Sequence, residues 1–142
     1  MIYTALIHTA LIYRALVHTF VKPASACPPS GVLWAGMSLV VLIPVPEDQA
    51  REMARTLVRE RLAGCINVIP GSFSVYRWEG ELSEDTEALL VVKTTQERYA
   101  ALETRVRELH PYQIPEILSL GVGQTPPEFA AWLEGSVRGQ NI

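Results

Sequence analysis

The chain has 142 residues, 49% of them hydrophobic and 19% charged, which suits one compact domain with a tail and excludes a disordered chain. Twelve basic residues against 15 acidic ones give a formal net charge of −3, which excludes the basic footprint of a nucleic-acid binder. Two cysteines make no disulfide framework, and a reduced, cytoplasmic setting is the expectation.

Residues 1–36 read as an appendage. Arg14 and Lys22 are the only charged residues before Glu47, and residues 2–11 are echoed position by position in residues 12–21. A stretch rich in chain breakers, Pro23 to Gly31, then reads as a linker. Three explanations compete for this segment: a transit peptide, which would bring an organellar address; a secretory signal; or upstream sequence ahead of a true start at Met37. A duplicated decapeptide, as a tandem DNA repeat would yield, favours the third. His8, Arg14 and His18 interrupt the apolar run, so no membrane span is expected. The domain proper is therefore expected over residues 37–142.

Residues 39–43 form a short apolar, β-branched run, as in a buried strand, and Pro44-Val45-Pro46 stops it. Glu47 and Asp48 suit a helix N-terminus, and Ala50, Met53, Ala54, Leu57, Val58 and Leu62 give one apolar face to a helix over about 48–62. Gly64 would end it. A second strand covers 65–69, bends or bulges at Pro70-Gly71, and continues through 72–78. Glu79-Gly80 is a tight hairpin signal, and the return strand runs over 87–94. Both arms exceed the usual five or six residues, and pairing between subunits would satisfy their edges.

Thr94 to Glu97 fits a capping box before a helix striped by Tyr99, Leu102, Val106 and Leu109, which ends before His110-Pro111. Residues 114–122 read as the last strand, with Pro115 near its start. Thr125 to Glu128 is a second capping box, opening a terminal helix with Phe129, Trp132, Leu133 and Val137 on its apolar side and Trp132 in the core. Strand-helix-strand-strand-helix-strand is the α+β, ferredoxin-like βαββαβ pattern, an antiparallel sheet here with an extra C-terminal helix.

That topology hosts many functions, so the residues must decide. An RNA-recognition domain needs stacking aromatics on its third strand, and residues 87–92 offer none. A soft-metal chaperone needs Cys-x-x-Cys after the first strand, where residues 44–48 hold no cysteine. Cys65, at the head of an apolar strand, has the surroundings of an inert thiol, and the glycines form no phosphate loop. Nucleophilic catalysis at Cys65 is therefore not expected.

Five blocks carry a resemblance. Arg61-Leu62-Ala63-Gly64-Cys65-Ile66-Asn67-Val68-Ile69-Pro70 resembles the CutA segment L-A-A-C-V-N-x-x-P, and Ser74-Val75-Tyr76-Arg77-Trp78-Glu79-Gly80 resembles S-x-Y-x-W-x-G. Lys93-Thr94 follows the third strand, His110-Pro111-Tyr112-Gln113-Ile114-Pro115-Glu116 is similar to H-P-Y-x-x-P-E, and Trp132-Leu133 matches the terminal helix. The blocks keep the CutA family's order from about Ser38 to Ser136.

The resemblance implies a homotrimer held by strands of neighbouring subunits and a role in copper or other divalent-cation tolerance, without established catalysis or an organic cofactor. It also implies an architecture similar to PII-type signalling trimers, which bind small ligands between subunits. In some bacterial relatives copper is attributed to a first-strand cysteine and two adjacent histidines; here Ile43 and Leu109 occupy two of those positions and His110 the third. His110 is thus the leading metal-ligand candidate, since imidazole is a good copper and zinc donor. Cys65 is either a thiolate ligand or a small core residue. Tyr76, Trp78, Lys93, Tyr112 and Glu116 are expected at an inter-subunit cleft, binding a small polar ligand or packing, with Lys93 and Glu116 as an ion pair.

Overall fold

The computed structural model describes residues 36–139. The readings made for residues 1–35 lie outside that range. Four strands and three helices follow one another as β1 (Ser38–Val45), α1 (Glu47–Arg59), β2 (Cys65–Trp78), β3 (Glu81–Thr95), α2 (Tyr99–Leu109), β4 (Leu118–Gly121) and α3 (Pro127–Arg138). The sheet order is β2-β3-β1-β4, and every neighbouring pair is antiparallel. This is the expected ferredoxin-like arrangement with its added helix.

Alternation along the central strands builds the core. Val41, Ile43 and Val45 of β1 and Ala88, Leu90 and Val92 of β3 are buried on one face of the sheet. Ala50, Met53, Ala54 and Leu57 of α1, with Leu102 and Val106 of α2, join them in a single cluster. The opposite face has no such cover. There Val40, Leu42, Leu89 and Val91 are half-buried, and Leu118 and Leu120 of β4 are exposed.

Several local expectations are corrected. Helix α1 ends at Arg59 rather than near 62, because Arg61 takes a left-handed φ of 58°. Gly64 does not stop it: a Cβ there would lie 2.5 Å from Leu133 Cδ1, so this glycine lets α3 pack close to the sheet. Neither expected capping box forms. Thr94 stays in β3, where its hydroxyl donates to the Leu62 carbonyl at 2.6 Å, and α3 starts behind Pro126 with no side-chain cap. Strand β4 spans four residues instead of nine, since residues 114–117, with Pro115 lacking an amide hydrogen, form no ladder with β1. Val58 faces solvent, and Trp132 is no core residue: 36% exposed, it stands 5.5 Å from Phe129 on the surface of α3.

The β2–β3 hairpin runs well past the end of β1, whose Val45 pairs with Ala88. Its turn residues Glu79 and Gly80 have φ of 50° and 90°, the positive pair that suits a tight two-residue connection. Strand β3 begins at Glu81, six residues before the expected start, because the polar stretch 81–86 pairs fully with β2.

Candidate functional site

The bulge in β2 decides what the hairpin presents. Ile69 pairs with Leu89 but Ser72 with Glu87, so β2 spends one more residue than β3 across Pro70-Gly71. One extra residue reverses the alternation. Beyond it Ser74, Tyr76 and Trp78 share a face with Asp85 and Glu87; with regular pairing, Phe73, Val75 and Arg77 would stand there instead. Gly71 accommodates the bulge at φ 73°, and its amide donates to Glu47 Oε1 at 2.5 Å, tying the hairpin to the first turn of α1.

Against that face lies the segment between α2 and β4. His110 anchors it. Its Nε2 meets the Pro44 carbonyl at 2.8 Å, and its Nδ1 accepts the Tyr112 amide at 3.2 Å, which makes Nε2 the protonated nitrogen. The Tyr112 ring stands edge-on to the imidazole at 4.9 Å. Between segment and hairpin opens a groove of about 610 Å³, walled by Tyr76, Trp78, Tyr112 and Glu116, with Glu87 at its inner side.

Glu87 is the residue that sequence reasoning missed. It is 4% exposed; its Oε2 accepts from the Ser74 hydroxyl at 2.6 Å, while its Oε1 is buried without a partner. A buried, unsatisfied carboxylate oxygen is costly and calls for a partner. The phenol of Tyr76 donates to Asp85, and that hydrogen bond pushes its pKa upward. The Tyr112 pKa is pushed up to about 12, chiefly by burial and next by the neighbouring Glu87 carboxylate. Among the described residues neither a lysine nor an arginine lines the groove.

The structure thus brings together four of the seven candidate residues: Tyr76, Trp78, Tyr112 and Glu116. Lys93 is elsewhere. Its ammonium donates to Asn67 Oδ1 and to the Val91 carbonyl at 2.9 Å, and within one chain it makes no ion pair with Glu116. Cys65 is opposite Lys93 in the β2–β3 ladder. Lys93 in turn is level with Val40, four residues from the Pro44 that holds His110, roughly 13 Å along the strand. Cys65 and His110 therefore do not converge, and both nitrogens of His110 are engaged within the chain. Among the described residues no three His, Cys, Asp or Glu side chains gather as a metal site would need. Within one chain, the described residues assemble no metal ligand set.

A model of the CutA1 divalent ion tolerance protein matches residues 39–136. The chain belongs to the CutA1 family. A divalent-cation tolerance protein CutA of Thermus thermophilus is 51% identical over 98 residues, which are 68% of this chain and 95% of that one. The solved Cut A1 structure from the same organism superposes with a TM-score of 0.67 over the same shares at 51% identity. A chloroplastic CutA protein of Arabidopsis thaliana is 38% identical over 102 residues; the match takes in 71% of this chain but only 56% of that protein. A structure described as the periplasmic divalent cation tolerance protein CutA of Archaeoglobus fulgidus has a TM-score of 0.69 at 30% identity, covering 71% of this chain and 99% of its own. The Thermus and Archaeoglobus relatives are named as divalent-cation tolerance proteins, and the compartments named for the Arabidopsis and Archaeoglobus proteins differ. Among the described residues of this chain no helix is long and apolar enough to cross a membrane.

Proposed function

We propose that this CutA1 chain serves divalent-cation tolerance as a cytoplasmic, non-enzymatic homotrimer that binds a small ligand in the groove beside Glu87. The observation that carries the reading is the convergence of Tyr76, Trp78, Tyr112 and Glu116 on a cavity whose inner side holds an unpaired buried carboxylate oxygen. A concave site with aromatic walls and a few polar groups is the usual form of a small-molecule pocket. In this the chain is like the PII-type trimers it resembles in architecture.

Self-association is supported by the sheet itself. Strands β2 and β4 each have one unpaired edge, and the face turned from the helices is apolar and open. Long edges and apolar faces of this kind find partners, and a second copy of the chain supplies both complements. Head-to-tail pairing of β2 with a neighbour's β4 closes as a ring, and three is the number the family resemblance implies.

Direct holding of copper or another divalent cation by His110 and Cys65 is the rival reading. It lacks a converging ligand set. The full chain titrated with Cu(II), Cu(I) and Zn(II), and in parallel with nucleotides and organic ions, separates the two. The expected result is that an organic ligand raises the melting temperature and shifts the Trp78 indole resonance. Metal ions should bind weakly, and equally well in His110→Gln and Cys65→Ser. Tight copper binding lost in either variant would overturn the groove reading in favour of the metal one.

A further inference from the structure

We infer that the ligand class of the groove is an organic ammonium: a primary amine carried on an apolar or aromatic body. The inference rests on the groove being a ligand site and goes beyond it by assigning the chemistry. It starts from hydrogen-bond supply. The Ser74 hydroxyl is already given to Glu87 Oε2 and the Tyr76 hydroxyl to Asp85; the Tyr112 hydroxyl stands beside Glu87, yet Glu87 Oε1 has no donor in hydrogen-bonding geometry among the described residues. Glu116 adds a second carboxylate to the lining, and no lysine or arginine answers either of them. The lining therefore offers two carboxylates and no cationic side chain, although Trp78 and Gln113 bring N–H donors of their own. A ligand that completes it brings N–H groups and positive charge.

The walls say what carries that charge. Trp78, Tyr76 and Tyr112 present aromatic surface, and cations are attracted to the faces of such rings. Pro111 and Ile114 extend the lining with apolar surface for a carbon body. A bare divalent cation fits poorly. Calcium and magnesium take about six or more oxygen ligands, and among the described residues no three acidic, histidine or cysteine side chains gather. A primary ammonium needs fewer partners: one proton to the Glu87 carboxylate, the others to neighbouring oxygens or water. Charge-assisted hydrogen bonds to a desolvated carboxylate are the strong ones, so the amine should be favoured clearly over a neutral isostere.

The test uses the full chain and three probes of like shape: benzylamine, benzyl alcohol and benzoate, at near-neutral pH and fixed ionic strength. Binding is read from the Trp78 indole N–H resonance. Benzylamine is expected to bind at least about tenfold tighter than benzyl alcohol, with benzoate weakest. In Glu87→Gln the amine preference should vanish; in Glu108→Gln, a carboxylate on α2 paired with Arg105 and outside the groove, it should persist. Should Glu87→Gln not fold, the ranking of the three probes on the unaltered protein decides alone. If the alcohol or benzoate shifts Trp78 as readily as the amine, the ammonium assignment falls and the groove survives as a ligand site. If no probe shifts Trp78, both fall.

Discussion

Tyr112 joins the groove's chemistry to the stability of the fold. Burial first, and the neighbouring Glu87 carboxylate second, favour its neutral phenol and carry its pKa from the ordinary 10.0 to about 12. The sign follows directly. Between these values the unfolded chain releases the phenolic proton while the folded chain keeps it, so stability present below pH 10.0 is lost as the pH rises towards about 12. Denaturant titrations across that window should show a steeper fall for the natural protein than for Tyr112→Phe. Equal slopes would mean that the phenol is not held neutral by its surroundings.

At the same scale, the motifs made Tyr76, Trp78, Tyr112 and Glu116 legible as a set, because their residue types and order carry the family resemblance. Glu87 was not. It follows a run of acids and hydroxyls, and nothing in residues 81–87 marks which of them turns inward. His110 was legible as a histidine beside a proline but not as a structural clamp. Its partner is the carbonyl of Pro44, 66 positions away, which only the folded chain brings near. Lys93 and Glu116 likewise looked complementary in charge, yet the β2–β3 register gives the ammonium to Asn67.

At the scale of the elements, the bulge matters most. Pro70-Gly71 was legible as an irregularity from its composition, but its consequence, the reversed alternation that gathers Ser74, Tyr76 and Trp78 beside Glu87, depends on counting paired residues on both strands. Gly71→Ala tests the device. Nothing crowds a Cβ at that position, so its cost is conformational, from the positive φ of 73°. About 1 kcal/mol of stability is expected to be lost, read by denaturant unfolding. An unchanged midpoint would show that the bulge tolerates an ordinary residue and does not constrain the hairpin. Strand and helix periodicity were otherwise sound guides where one face is buried, as in β1, α1 and α2. They failed where burial is partial: Val58 and Trp132 share the apolar stripes of their helices yet reach solvent.

At the scale of the whole molecule, one sheet face is sealed by helices and the other is left apolar. Leu118 and Leu120 of β4 are exposed on that face, while Phe73, Val75 and Leu82 are exposed on the other face of the projecting hairpin. At about 25 cal/mol for each Å² of apolar surface removed from water, covering such a face is a strong drive to associate. The hairpin adds two long arms whose outer backbone groups a neighbour can pair. The same assembly would bring the groove, at the base of that hairpin, close to the subunit boundary, where a ligand could report on or reinforce the association.

Light scattering on the size-fractionated full chain at micromolar concentration is the most direct measurement. The expected mass is three times that of one chain, unchanged on dilution through the micromolar range. A well-behaved monomer that stays soluble with its apolar sheet face bare would contradict the account.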